Sequence, residues 1–203
     1  MEKVNIIIGR FQPFTLGHLK CTQEAQKKLG VKSVLLVINT VKQDGRHPFL
    51  TKQIEKILDK MCKEEPSITG YVLVKNADIV KNTEILRDAG YEPIAWTCGT
   101  DRFEPYNTMV KKYGKDIGLD PDFEMIEVKR GDEDISATAV RKALRDNDEA
   151  TYVGLVPDSW KKQFAFLRDI IMDVKEDDAG NCNRYGTQGA RPMKSLYEYL
   201  MMK

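Results

Sequence analysis

The chain has 203 residues, with 32 lysines and arginines against 31 aspartates and glutamates, and a formal net charge of +1. That near-balance excludes a global basic field of the kind that binds nucleic acid non-specifically, so any attraction for phosphate must be local. The length suits one generous α/β domain, or one domain with an appendage, and is enough to bury a core unaided.

Four cysteines, Cys21, Cys62, Cys98 and Cys182, lie far apart, with no Cys-x-x-Cys pair and no histidine at zinc spacing. They read as free thiols of a reducing compartment. The apolar stretch at residues 6–8 is too brief for a signal peptide or a membrane span. The expectation is a cytoplasmic protein without a membrane partner.

In chain order, short β-branched runs predict strands at residues 4–8, 34–38, 71–74, 94–98 and 123–128. Helices are predicted between them. The first covers 17–28. The second starts at Thr51, read as its N-cap, and carries Ile54, Ile57, Leu58 and Met61 on one face. Shorter helices fall at 83–88 and 105–113, and a clear one at 138–145. This alternation predicts a Rossmann-like, doubly wound parallel sheet of five strands, with ligands beyond the carboxyl ends of the strands. After residue 156 the pattern changes to a helix over 159–174, an acidic Gly/Asn-containing loop over 175–189, and a last helix over 192–202. The reading is a main domain over 1–156 and a helical extension over 157–203.

The first strand runs into Gly9-Arg10-Phe11-Gln12-Pro13-Phe14-Thr15-Leu16-Gly17-His18. A glycine at the strand end lets backbone pass close to a ligand, and the helix that follows offers unpaired N–H groups and a partial positive charge. His18 on its first turn is placed to donate to a phosphoryl oxygen, while Gly17 leaves room for a nucleotide. The alternative makes Thr15 a helix cap and His18 a solvated or core histidine. Only two histidines exist in the chain, and one falls at this spot.

Downstream, Ile135-Ser136-Ala137-Thr138-Ala139-Val140-Arg141 enters a helix. Two hydroxyls and a guanidinium at a helix start can converge on one triphosphate, the guanidinium as a fork. A cap made by Ser136 or Thr138, beside a solvated Arg141, explains the run equally well when it is taken alone.

The two runs together resemble the T/H-x-G-H and I-S-x-T-x-x-R signatures of the nucleotidyltransferase superfamily, in the same order and at a similar distance. The Gly-Arg-Phe-Gln-Pro-Phe lead-in is most similar to nicotinamide-mononucleotide adenylyltransferases of the archaeal and bifunctional type. Those relatives usually carry histidine where this chain has Thr15; threonine occurs there in others, such as phosphopantetheine adenylyltransferases. The resemblance covers about residues 4–155. It implies that Thr15, His18 and Arg141 are catalytic and that Gly9, Arg10, Phe11, Gly17, Ser136 and Thr138 bind the nucleotide, with Ser136, Thr138 and Arg141 on its β- and γ-phosphates. Gly99-Thr100-Asp101 resembles the family's G-x-D element, which adds Gly99 and Asp101 to the nucleotide site; an Asx turn is the alternative.

Arg46, Trp96 and Arg102 are the candidates to meet an acceptor, and the resemblance implies that the loop carrying Arg46 meets either the acceptor or the triphosphate. Each has a plain alternative: a solvated basic loop shared with Lys42 and His47, a buried strand residue, and a surface charge. Lys20, Lys129 and Arg130 are further basic residues near the motifs, and Asp132-Glu133-Asp134 reads as a solvated loop. No carboxylate cluster would cage a metal in the protein alone, which suits Mg²⁺ bridged by substrate phosphates.

The resemblance implies transfer of a nucleoside monophosphate from an NTP, ATP first, to a phosphorylated acceptor, nicotinamide mononucleotide first. A CTP-dependent cytidylyltransferase, an adenylyltransferase for phosphopantetheine or a flavin nucleotide, and a non-catalytic nucleotide-sensing module are the competing readings. An aminoacyl-tRNA synthetase is disfavoured by the length and the absence of a basic surface. Assembly into a homo-oligomer is left open.

Overall fold

The computed structural model describes residues 1–129 and 135–174. Arg130, the Asp132-Glu133-Asp134 run, Cys182, the loop at 175–189 and the helix at 192–202 lie outside the described residues.

Five parallel strands, β1 (Glu2–Gly9), β2 (Ser33–Ile38), β3 (Ile68–Val74), β4 (Tyr91–Gly99) and β5 (Glu124–Val128), form one sheet in the order β3-β2-β1-β4-β5. Helices α1 (Leu16–Leu29), α2 (Thr51–Glu64), α3 (Ile79–Asp88) and α4 (Thr100–Tyr113) connect them. The expected Rossmann-like α/β architecture is therefore present. The chain builds outward from β1 to β3, then returns to place β4 on the other side of β1. That reversal puts the topological switch point, where ligands of such sheets bind, at the carboxyl ends of β1 and β4.

The strands read as unbroken apolar runs because both faces are covered. Ile7, Leu35 and Val37 meet Ile54, Leu58 and Met61 of α2 in one core, whereas Val4, Ile6, Val34, Leu36 and Trp96 meet Ile79, Leu86 and Val110 of α3 and α4 in another. A polar rung crosses the middle of the sheet. Asn5 donates to the Ser33 hydroxyl and accepts from the Thr97 hydroxyl, each at 2.9 Å, so three buried polar side chains on neighbouring strands satisfy one another.

Beyond β5 come α5 (Ala137–Arg145), α6 (Glu149–Leu155), α7 (Asp158–Lys161) and α8 (Phe164–Asp173). Tyr152, Trp160, Phe164 and Leu167 from these helices share one core with α2 and the sheet. Trp160 donates its indole N–H to the Met61 sulfur at 3.3 Å.

Several local expectations change. The single helix expected at 159–174 is two pieces, because the Trp160 carbonyl accepts from the Tyr152 hydroxyl (2.6 Å) and the Gln163 N–H (2.9 Å), which interrupts the helical ladder. The cap of α2 is Leu50, not Thr51. Thr51 is already helical, and its hydroxyl instead accepts from the Thr40 N–H at 2.8 Å. Helix α4 begins at Thr100, five residues before the expected start, so Pro105 lies inside it. No helix among the described residues is long and apolar enough to cross a membrane.

Candidate nucleotide-binding site

The link from β1 into α1 is packed around Phe11. Its φ of +51° is unusual for a residue with a side chain, and its ring folds back over Gly9, where a Cβ would come within 3.1 Å of it. Gly9 is thus needed to admit the Phe11 ring. Phe11 is only 2% exposed, so its side chain is no nucleotide contact; burial makes it a buttress. Phe11 and Phe14 flank His18, with ring centroids 5.1 and 5.2 Å away.

His18 is half-buried and its Nδ1 accepts from the Thr15 backbone N–H at 3.0 Å, with the Thr15 hydroxyl at the same distance. That donor makes Nδ1 the acceptor and places the ring proton on Nε2. Thr15 is 2% exposed, with its hydroxyl turned to the imidazole. The geometry makes it the residue that orients His18, where the sequence suggested a direct phosphate contact. Gly17 also differs from expectation. A Cβ there would meet the Ile135 carbonyl oxygen at 3.2 Å, so the missing side chain lets the start of α1 abut the run that leads into α5.

The two motifs meet directly. Arg141 donates through Nη1 to the Gln12 carbonyl at 2.7 Å and through Nη2 to the Thr138 hydroxyl at 3.0 Å. These bonds fix the plane of the guanidinium. Ser136 caps α5 by accepting from the Ala139 N–H at 3.1 Å, which leaves its hydroxyl proton to donate outward. One hydroxyl is therefore a cap and the other supports Arg141.

Gln12, not singled out from the sequence, holds the β2–α2 connection. Its amide donates to the Phe49 carbonyl at 2.7 Å and accepts from the Phe49 N–H at 2.9 Å. Within that connection, Asp44 accepts from the Arg46 and His47 backbone N–H groups and pairs with the His47 ring at 3.1 Å. Arg145, also missed, donates to the Gly45 carbonyl at 3.3 Å. The four-residue spacing from Arg141, on one helix face, was the signal that could have found it. Burial, followed by the like charges of Arg145 and Arg46, holds the Arg141 pKa below the ordinary arginine value, with Asp44 acting in the opposite sense. Arg46 thus lies in the electrostatic neighbourhood of Arg141.

Around β4, Gly99 caps α4 and Asp101 is exposed in its first turn. A Cβ on Gly99 would sit 3.0 Å from the Asp101 carboxylate. Arg102 makes an exposed pair with Asp101 at 3.7 Å. Trp96 is 1% exposed and stacked on Tyr106, centroids 4.2 Å apart, so its indole faces the core instead of an acceptor. Arg10 is exposed at the end of β1. Among the described residues no group of three or more histidines, cysteines or carboxylates could hold a metal ion.

A helix N-terminus with an oriented imidazole, and a guanidinium held beside a hydroxyl at the switch point of a parallel sheet, are groups suited to an anionic ligand. Residues 6–143 match the family model described as cytidylyltransferase-like, and the chain belongs to that family. Its class of enzyme is accordingly the nucleotidyltransferases.

Proposed function

We propose that the protein transfers the adenylyl group of ATP to nicotinamide mononucleotide, releasing pyrophosphate. The observation that supports this most is the bond from Arg141 to the Gln12 carbonyl, which joins the two phosphate motifs into one cradle. The acceptor preference rests on the Gly9-Arg10-Phe11-Gln12-Pro13-Phe14 resemblance.

In the proposed reaction an oxygen of the acceptor phosphate attacks the α-phosphorus in line, the bond from that phosphorus to the bridging oxygen breaks, and pyrophosphate departs with the electron pair. The acceptor is already anionic, so no general base is required, and catalysis is positioning plus charge stabilisation. His18 donates from Nε2 to the transferring phosphoryl group, held by Thr15, Phe11 and Phe14. Arg141, Thr138 and Ser136 take the developing charge of the leaving pyrophosphate. Asp101, Gly99 and the exposed Arg10 border the nucleotide, and Arg102 lies toward the acceptor. With no metal cluster among the described residues, Mg²⁺ would arrive on the triphosphate and add charge neutralisation there.

The test is pyrophosphate release with Mg²⁺, crossing ATP, CTP, GTP and UTP against nicotinamide mononucleotide, phosphopantetheine, flavin mononucleotide and glycerol phosphate. Release from ATP with nicotinamide mononucleotide, lost in His18→Ala, is the expected result. Release only with CTP, or with another acceptor, would reassign the substrates. ATP binding without release from any pair would favour a nucleotide sensor.

A further inference from the structure

Residues 10–15 belong neither to β1 nor to α1, so the Gln12 peptide lies outside both ladders. Its carbonyl nonetheless holds the Arg141 guanidinium, at 2.7 Å. The flanking Phe11 and Phe14 are buried and keep the turn in place, but apolar contact is non-directional and does not aim a carbonyl. Hydrogen bonds do. The Gln12 side chain, 5% exposed, supplies them: its amide nitrogen donates to the Phe49 carbonyl at 2.7 Å and to the Thr40 hydroxyl at 3.3 Å, and its amide oxygen accepts from the Phe49 N–H at 2.9 Å.

The β2–α2 connection is also closed at its base without Gln12. There the Thr51 N–H donates to the Thr40 carbonyl at 3.1 Å, and the Thr40 N–H donates to the Thr51 hydroxyl at 2.8 Å. Both N–H groups and the oxygen of the Gln12 amide have partners, which ties the buried side chain to one orientation. The side chain thus reaches the connection while the main-chain carbonyl of the same residue reaches α5. The second Arg141 bond, to Thr138, stays within α5, so it is the Gln12 bond that refers the guanidinium to the turn leading to His18.

We propose that Gln12 is a positioning residue for Arg141: its side-chain amide, locked on the Phe49 backbone, fixes the peptide whose carbonyl aims the Arg141 guanidinium at the departing pyrophosphate. This rests on the nucleotidyl-transfer reading and adds to it a residue that acts through Arg141 and touches no substrate.

Inorganic pyrophosphate binding to the full chain, measured by calorimetry, tests it without reference to any acceptor. The variants are Gln12→Met, Gln12→Asn, Arg141→Gln, the Gln12→Met/Arg141→Gln pair and Thr51→Val, each confirmed by a thermal melt to be folded at the assay temperature. Gln12→Met, similar in volume but without the amide, should weaken pyrophosphate by roughly tenfold, the scale of one charge-assisted hydrogen bond. Gln12→Asn keeps a buried amide that is one methylene too short to bracket Phe49; it should lose affinity in the same direction and covers the case in which the methionine variant folds poorly. The double variant should be no weaker than Arg141→Gln alone, because the two residues act through one contact. Thr51→Val loosens the same connection but leaves the Gln12 amide intact, and should bind as wild type does. Unchanged affinity in folded Gln12 variants overturns the inference, as do losses that add in the double variant or a loss in Thr51→Val equal to that of Gln12→Met. Absence of pyrophosphate binding by the wild-type chain would overturn the inference and the transfer reading together, whereas silent Gln12 variants of a chain that binds pyrophosphate overturn this inference alone.

Discussion

The guanidinium of Arg141 donates to the main-chain carbonyl of Gln12 at 2.7 Å across 129 residues of sequence. A main-chain acceptor fixes the arginine relative to the β1–α1 backbone itself, not to another mobile side chain. Since the same backbone leads into Thr15 and His18, the group proposed to hold the leaving pyrophosphate and the group proposed to hold the transferring phosphate share one frame.

Arg141→Gln should therefore lower kcat/KM by on the order of 10²–10³, the cost of one transition-state donor, while His18→Ala lowers kcat by a similar factor. Both variants should retain the native circular dichroism spectrum. Steady-state pyrophosphate release measures the first quantity, and full turnover in either variant would remove that residue from the mechanism.

Gly17→Ala tests the contact between the motifs. Its Cβ would press on the Ile135 carbonyl at 3.2 Å, a backbone atom with little freedom to move aside. The expected outcome is a larger loss in nucleotide affinity than in melting temperature, because the strain falls where the two phosphate motifs abut. A calorimetric titration with ATP beside a thermal melt distinguishes this from general destabilisation.

Trp160 is fully buried, anchored to Met61, and its carbonyl holds the Tyr152 hydroxyl. Trp160→Ala should cost about 3–5 kcal/mol in unfolding free energy, as large aromatic truncations in a core do. Urea denaturation measures it. A loss under ~1 kcal/mol would mean that the helices after α5 contribute little to the core.

Asp44 carries the pH dependence of the β2–α2 connection. Partial burial is the largest single influence and raises its pKa, but the His47 side chain and the His47 and Arg46 N–H groups together hold it below the ordinary 3.8. A folded-state pKa below the unfolded one means that the unfolded chain binds more protons through that window. The stabilisation is complete above the unfolded value and is lost as pH falls through the folded one. The melting temperature of Asp44→Asn should thus fall short of wild type at neutral pH, and the gap should close below about pH 4. A gap that persists unchanged to lower pH would contradict the carboxylate's role.

Much of the fold is legible in the residues because it depends on local pattern. Ile6, Ile7 and Ile8, or Val34 to Val37, read as strands from their short β-branched apolar runs, and Ile54, Leu58 and Met61 recur at helical spacing. Both phosphate motifs are legible for the same reason, since a glycine-bearing turn and a hydroxyl-rich helix start are contiguous features. The break between α7 and α8 is not, because it follows from the Tyr152 hydroxyl taking a carbonyl eight residues on, and periodicity carries no record of that bond.

The amino-acid sequence by itself determined the class of architecture, the two motifs and the family they point to. Tertiary structure alone decided which atoms those motifs present. Thr15 faces His18, Gly9 makes way for Phe11, Gly17 lies against Ile135, Trp96 turns to the core, and Arg145 joins α5 to the loop after β2. The physical reason is that residue type and spacing constrain neighbours along the chain, whereas the direction of a hydrogen bond or the exposure of a ring depends on groups a hundred residues distant that only packing brings within reach.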